Sequence, residues 1–258
     1  MPFFPARRFR LTFLFMMTLL SILILCALMI RPEMRFDPAA PVMSADAGNT
    51  SGEEKIVYLT FDDGPSAVTE DILDYLQREN IPATFFVIGM ETERAETLLK
   101  RMQAEGHSIG LHSYTHNYCS IYESPEAFFA DQQRLIDYLE PILGETPDFF
   151  RFPGGSCNAT AEEWVLEGIR AEAEERDLRW FDWNSVAEDS GSSAAPADQM
   201  AENIISTGGD RNRIMVLMHD NSIRTTAVDC LRIIVPYYRE RGYTFKAITE
   251  TTRPIRFR

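Results

Sequence analysis

After residue 54, short apolar runs alternate with amphipathic stretches, and this rhythm constrains the fold more than any other feature of the chain. Runs of strand length occupy 56–61, 83–88, 107–111, 148–151, 178–183, 214–218 and 244–248. Helical periodicity fills 67–79, 91–104, 125–139, 161–175, 197–206 and 225–240. Ile72, Tyr75 and Leu76 share one face there, as do Leu135, Ile136 and Leu139. Pro125 falls where a first helical turn accepts proline. Regular β–α alternation implies a parallel sheet. Seven strands in the roughly 200 residues of an ordinary α/β domain either close as a barrel or stay open as a doubly wound sheet.

Four polar pieces favour the barrel-like form. Asp62-Asp63, His112, Arg151 and His219 each follow a different strand: the first, third, fourth and sixth. In a barrel the loops after the strands converge on one face, whereas an open sheet spreads them along a crevice.

The same pieces suggest metal-assisted hydrolysis. His112 and His116 are spaced i, i+4, so one helical turn can aim both imidazoles at a single point. Two histidines and a carboxylate form a facial triad with open positions for water and substrate. In Thr60-Phe61-Asp62-Asp63-Gly64-Pro65 the Gly-Pro turn can break strand alternation, so that Asp63 binds metal while Asp62 takes a proton from water. As an isolated motif, Asp-Asp-Gly is also an ordinary acidic helix cap. Arg151 can hold Asp62 ionised through a bidentate bond, and the glycines of Arg151-Phe152-Pro153-Gly154-Gly155 let backbone N–H groups approach an oxyanion. His219, closing Leu217-Met218-His219, can protonate a leaving amine, and Leu217 can wall a small acyl pocket. His107, at a strand start, reads as structural.

The first 54 residues differ from the rest. Residues 11–30 contain no charge, follow Arg7, Arg8 and Arg10, and at ~1.5 Å per residue span a ~30 Å hydrocarbon core. The arginines keep residues 1–10 in the cytoplasm and send the remainder outside. A signal anchor and a cleaved signal peptide both predict an extracytoplasmic domain, the first leaving it on a single-pass membrane segment. Residues 31–54, with Pro32, Pro38, Pro41, Gly48 and Gly52, read as a flexible linker. Beyond residue 30 lie 22 basic and 39 acidic residues, a net charge of −17. That surface repels polyanions and argues against nucleic acid as a partner. Cys119, Cys157 and Cys230 permit one internal disulfide; Cys119 and Cys157 either meet near the site or remain unpaired.

On Thr60 to Gly64, His112-Ser113-Tyr114-Thr115-His116, Arg151-Phe152-Pro153 and Leu217-Met218-His219, the chain resembles the polysaccharide deacetylases of the NodB-homology type, carbohydrate esterase family 4. The resemblance implies a catalytic domain over 55–252 with a distorted (β/α) barrel of about seven parallel strands. It implies a divalent metal, zinc first, with Co2+, Mn2+ or Ni2+ possible, held by Asp63, His112 and His116. It implies Asp62 as base, His219 as acid, Arg151 orienting the base, Leu217 lining the acetate pocket and Gly154 supplying the oxyanion N–H. The family usually carries tyrosine where Gly154 stands; glycine keeps the N–H and loses the ring. The acid histidine is expected to lean on Asp189, with Asp182 the competing candidate. The implied substrate is an N-acetylated polysaccharide. N-acetylglucosamine of peptidoglycan comes first, chitin oligomers or O-acetyl xylan next, and a catalytically silent glycan-binding protein is the alternative from another class.

Overall fold

The computed structural model describes residues 54–257 apart from 192–193 and 222–224. The expected segments 1–10 and 11–30, and all of linker 31–54 except Glu54, lie outside the described residues. Among the described residues no helix is long and apolar enough to cross a membrane.

Among them the chain runs β1 (Ile56–Asp62), α1 (Ala67–Glu79), β2 (Thr84–Ile88), α2 (Glu93–Ala104), β3 (Ser108–Ser113), α3 (Tyr118–Ile121), α4 (Pro125–Leu143), β4 (Phe149–Phe150), α5 (Glu163–Glu175), β5 (Arg179–Trp180), β6 (Ser185–Val186), α6 (Ala197–Gly208), β7 (Arg213–His219), α7 (Ala227–Glu240) and β8 (Thr244–Phe245). Every ladder is parallel, in the order β5-β4-β3-β2-β1-β7-β6, with β8 beside β1. No ladder joins β5 to β6, so the sheet is a half-barrel, open between them.

Alternation along the strands decides what fills the two sides. In β1, Val57, Leu59 and Phe61 join the large apolar cluster that includes Ile72, Leu73 and Leu76 of α1. Tyr58 belongs to a separate cluster with Phe86, Phe149, Phe181, Met215, Ile248 and Ile255. Because side chains alternate, Tyr58, Thr60 and Asp62 form one row along β1, starting in that apolar plug and ending on a carboxylate. Gly110 makes room for the plug: a Cβ there would lie 2.4 Å from the Phe149 ring and 2.8 Å from Phe86. Each fully buried aromatic or aliphatic side chain contributes roughly 1.5–3 kcal/mol.

Several expectations need correction. The strand expected at 178–183 is reduced to β5 at Arg179–Trp180, and a further short strand, β6, follows at Ser185–Val186. Phe181 N–H still bonds Phe150 O of β4, but Asn184 N–H bonds Met215 O of β7, so the intervening residues carry the chain across the open side. The strand expected at 244–248 is reduced to β8, beside Ile56 and Val57, where β1 is not yet paired with β2, whose ladder begins at Thr60. The short helix α3 was not foreseen. Helix α4 outruns its expected end at 139 despite Pro141, and stops at Gly144, whose φ of 73° suits glycine. Cys119 and Cys157 are both exposed and free, not joined.

Candidate active site

The C-terminal ends of β1, β3, β4 and β7 bring the polar pieces together. Asp62 closes β1, its register partner His219 closes β7, His112 lies within β3, and Arg151 follows β4 immediately. Asp63 takes φ 75°. This left-handed conformation, tolerated by aspartate, breaks the alternation that would otherwise turn Asp63 away from Asp62.

The two histidines do not share a helical turn, as their spacing suggested. His112 is a strand residue, and His116 sits in the following loop at φ 50°. His116 N–H donates to Ser113 Oγ at 2.8 Å. Asp131 of α4 anchors that loop: its carboxylate accepts from Ser113 Oγ at 2.6 Å, Tyr114 N at 2.7 Å, Thr115 N at 3.0 Å and Thr115 Oγ1 at 2.7 Å. Sequence reading missed Asp131. Its signal was an acid beside Gln132 on the buried stripe of Phe128 and Leu135, where a charge needs a reason to be.

Asp63 Oδ1 lies 3.4 Å from His112 Nε2 and 3.1 Å from His116 Nε2, and one donor atom from each of the three residues falls within 4.8 Å of the others. Tetrahedral ligands at ~2.05 Å from zinc stand ~3.3 Å apart. Asp63 Oδ1 is buried with no well-angled hydrogen bond. Three donors crowded in this way fit a shared divalent cation. His112 Nδ1 lies 3.0 Å from the Arg151 carbonyl, which only accepts, so Nδ1 carries the proton and Nε2 presents its lone pair to Asp63.

Arg151 is fully buried. Its Nε donates to Phe181 O at 2.9 Å, Nη2 to Asp182 O at 3.2 Å, and Nη1 to Thr60 Oγ1 at 2.7 Å and Asp62 Oδ1 at 2.8 Å. The guanidinium lies 4.2 Å over the Phe86 ring. The expected bidentate grip on Asp62 is therefore a single bond, because the second amino group is taken by Asp182 O. Asp62 Oδ2 is left facing the triad, 4.0 Å from His112 Nε2.

His219 Nδ1 bonds Asp189 Oδ1 at 2.7 Å, and His219 N–H donates to Asp189 Oδ2 at 3.0 Å. Asp182 is engaged elsewhere, accepting from Ser156 N, Ser156 Oγ and Phe257 N. Burial pulls the His219 imidazole down, but Asp189, then Asp63 and Asp62, push it up to about 9. Leu217 is buried two residues earlier on the same face of β7. Gly154 is exposed at φ 78°, and its N–H donates to no group among the described residues.

Asp220 was also missed. Its carboxylate accepts from Thr69 Oγ1 at 2.5 Å and packs on Gly64, where a Cβ would lie 2.1 Å from Asp220 Oδ2. That contact explains glycine in the Asp62–Pro65 turn. His107 accepts Ala83 N–H at 3.0 Å, a packing role away from the site. A cavity of about 700 Å³ opens at the other end of the strands, beside Ile56, Ser108 and Arg213, and holds none of these residues.

The family model described as polysaccharide deacetylase matches residues 49–168. A peptidoglycan-N-acetylglucosamine deacetylase of Bacillus cereus is 33% identical over 210 residues, 80% of this chain and 74% of the relative. The catalytic domain of a peptidoglycan N-acetylglucosamine deacetylase from Eubacterium rectale superposes with a TM-score of 0.75 at 31% identity, over 83% of this chain and 97% of that one. A family 4 acetyl xylan esterase from Clostridium thermocellum, solved with a cobalt ion, gives 0.62 at 31% identity, over 76% and 89%. The site geometry and these likenesses agree: the chain belongs to the polysaccharide deacetylase family, carbohydrate esterase family 4, and is an enzyme of that class.

Proposed function

We propose that the protein removes N-acetyl groups from N-acetylglucosamine residues of peptidoglycan, using a divalent ion held by Asp63, His112 and His116. The observation that carries the chemistry is the convergence of those three donors beside Asp62 and His219. The named substrates of the similar Bacillus cereus and Eubacterium rectale proteins support the choice of sugar. The uncharged segment 11–30 supports a cell-membrane location, with the catalytic domain tethered through linker 31–54 on the outer side.

When bound, the ion supplies Lewis-acid chemistry to a water molecule and to the acetyl carbonyl; the donor set suits zinc, and also cobalt, manganese or nickel. Asp62 accepts the proton of the attacking water on Oδ2, while Arg151 fixes Oδ1. The Gly154 N–H donates to the carbonyl oxygen as it gains charge, a contribution of about 2.7–4 kcal/mol for such donors. Leu217 packs beside the acetyl methyl. His219, kept protonated by Asp189, delivers its proton from Nε2 to the departing sugar amine, and acetate is released.

A second reading, ester deacetylation of an acetylated xylan, is favoured by the likeness to the acetyl xylan esterase. The test is the purified domain loaded with zinc, cobalt, manganese or nickel, assayed on peptidoglycan, chitin oligomers and acetylated xylooligomers, with products weighed by mass spectrometry. Loss of 42 mass units (~42, one acetyl for one hydrogen) from peptidoglycan supports the proposal. Release from xylan alone transfers it to the second reading, and release from none refutes both.

A further inference from the structure

A glycine at position 154 lets another residue pack close against the backbone there. A Cβ built on Gly154 would lie 3.1 Å from Tyr118 Oη and 3.2 Å from the Tyr118 ring. The phenol of Tyr118, from α3, thus abuts the place where a side chain at 154 would begin. Its ring meets His116 edge-on at 5.3 Å and Tyr122 at 5.8 Å between centroids. Tyr122 Oη in turn donates to Pro153 O at 2.7 Å, so α3 is tied to the loop that carries Gly154. The Tyr118 ring is held on two sides and half-buried. Its hydroxyl bonds no group among the described residues, although a phenol in so ordered a setting ordinarily finds a partner. It stands between a metal-binding histidine and the backbone N–H assigned to the oxyanion.

We propose that Tyr118 is a substrate-contacting residue that sets specificity: its hydroxyl donates a hydrogen bond to the acetylated sugar, taking over a contact that Gly154 has no side chain to make. The reading rests on the proposed sugar substrate. Its ring buttresses His116; its hydroxyl reads the sugar. A sugar-free acetyl ester, such as 4-nitrophenyl acetate, offers no such acceptor.

Tyr118→Phe separates these two parts, because it keeps the ring and removes one oxygen. The expected result is a KM for N-acetylglucosamine oligomers raised about five- to tenfold, the worth of one hydrogen bond. The kcat stays within about twofold, and hydrolysis of 4-nitrophenyl acetate and bound-metal content do not change. An unaltered KM overturns the proposal. So does an equal loss on the sugar-free ester, or a loss traced to metal affinity, since either makes Tyr118 a support for His116. A fall in kcat alone also overturns it, because the hydroxyl would then act on the reacting oxygen. Should the wild type act on acetylated xylooligomers and not on N-acetylglucosamine oligomers, the proposed substrate fails, and the same comparison on the xylooligomers decides Tyr118.

Discussion

Arg151 Nη1 and Asp62 Oδ1 lie 2.8 Å apart, with the two side chains 0% and 4% exposed. The remaining guanidinium donors reach Thr60, Phe181 and Asp182, so one planar group joins β1 to the chain after β4 and β5. Lysine has one ammonium and cannot match that fork. Arg151→Lys is expected to lower kcat by about a hundredfold or more, by releasing Asp62 from its orientation. Removing the charge altogether in Arg151→Ala is expected to destabilise the fold by about 3–5 kcal/mol, because Asp62 stays buried without its partner. Acetate release and denaturant unfolding measure the two effects; a stable, fully active Arg151→Lys would refute the assignment.

The Asp189–His219 contact makes a pH prediction. With the imidazole pushed up to about 9, His219 keeps its proton through neutral pH and loses it as pH rises past that value. Activity that needs an acid therefore declines on the alkaline side. Asp189→Asn removes the negative charge, so the alkaline limb should move down by about two pH units. The same shift ties stability to pH: the folded state binds this proton more tightly than the unfolded chain. The contribution is complete below about pH 6.5 and is lost as pH rises through about 9. Rate profiles of both proteins, loaded with the same metal, check the first statement. An unmoved alkaline limb in Asp189→Asn would count against His219 as the acid.

Metal removal should act on stability and rate together. Chelation is expected to abolish acetate release and to lower the melting temperature, since an ion at a hundred times its dissociation constant adds about 2.7 kcal/mol. Refilling with zinc, cobalt, manganese or nickel restores both, to different degrees. His112→Ala and His116→Ala should bind the ion poorly and show no metal-dependent turnover. Full activity in either, with metal content measured, would exclude the triad.

Asp131 hydrogen-bonds no triad side chain among the described residues, yet it holds the Ser113 hydroxyl and the Tyr114 and Thr115 N–H groups of the loop from which His116 is presented. Asp131→Ala is expected to weaken metal affinity by about 10–100-fold, as the loss of such supporting bonds does elsewhere. Raising the metal concentration should recover much of the lost rate. A variant whose deficit persists at saturating metal would place the role of Asp131 elsewhere.

Periodicity and motif placement, both local properties, were enough to set out most helices, the parallel strands and the residues around which the site forms. Short strands were harder to read. β6 and β8 are two residues each, below the length at which alternation becomes a pattern. Spacing along the chain also misled about the histidines, because i, i+4 suits a helix while His112 and His116 reach one point from a strand end and a left-handed turn. For His219 the expected neighbour was Asp189, with Asp182 the competing candidate. They were separated only when residues 181–184 crossed from β4 to β7, leaving Asp182 against Ser156 and Asp189 against His219. Tyr118 beside Gly154 and Asp131 beneath His116 belong to the same class. Side-chain types and local pattern specify which groups are available and which elements carry them. Which groups meet across tens of residues depends on strand order and register, and those follow from packing the whole sheet at once.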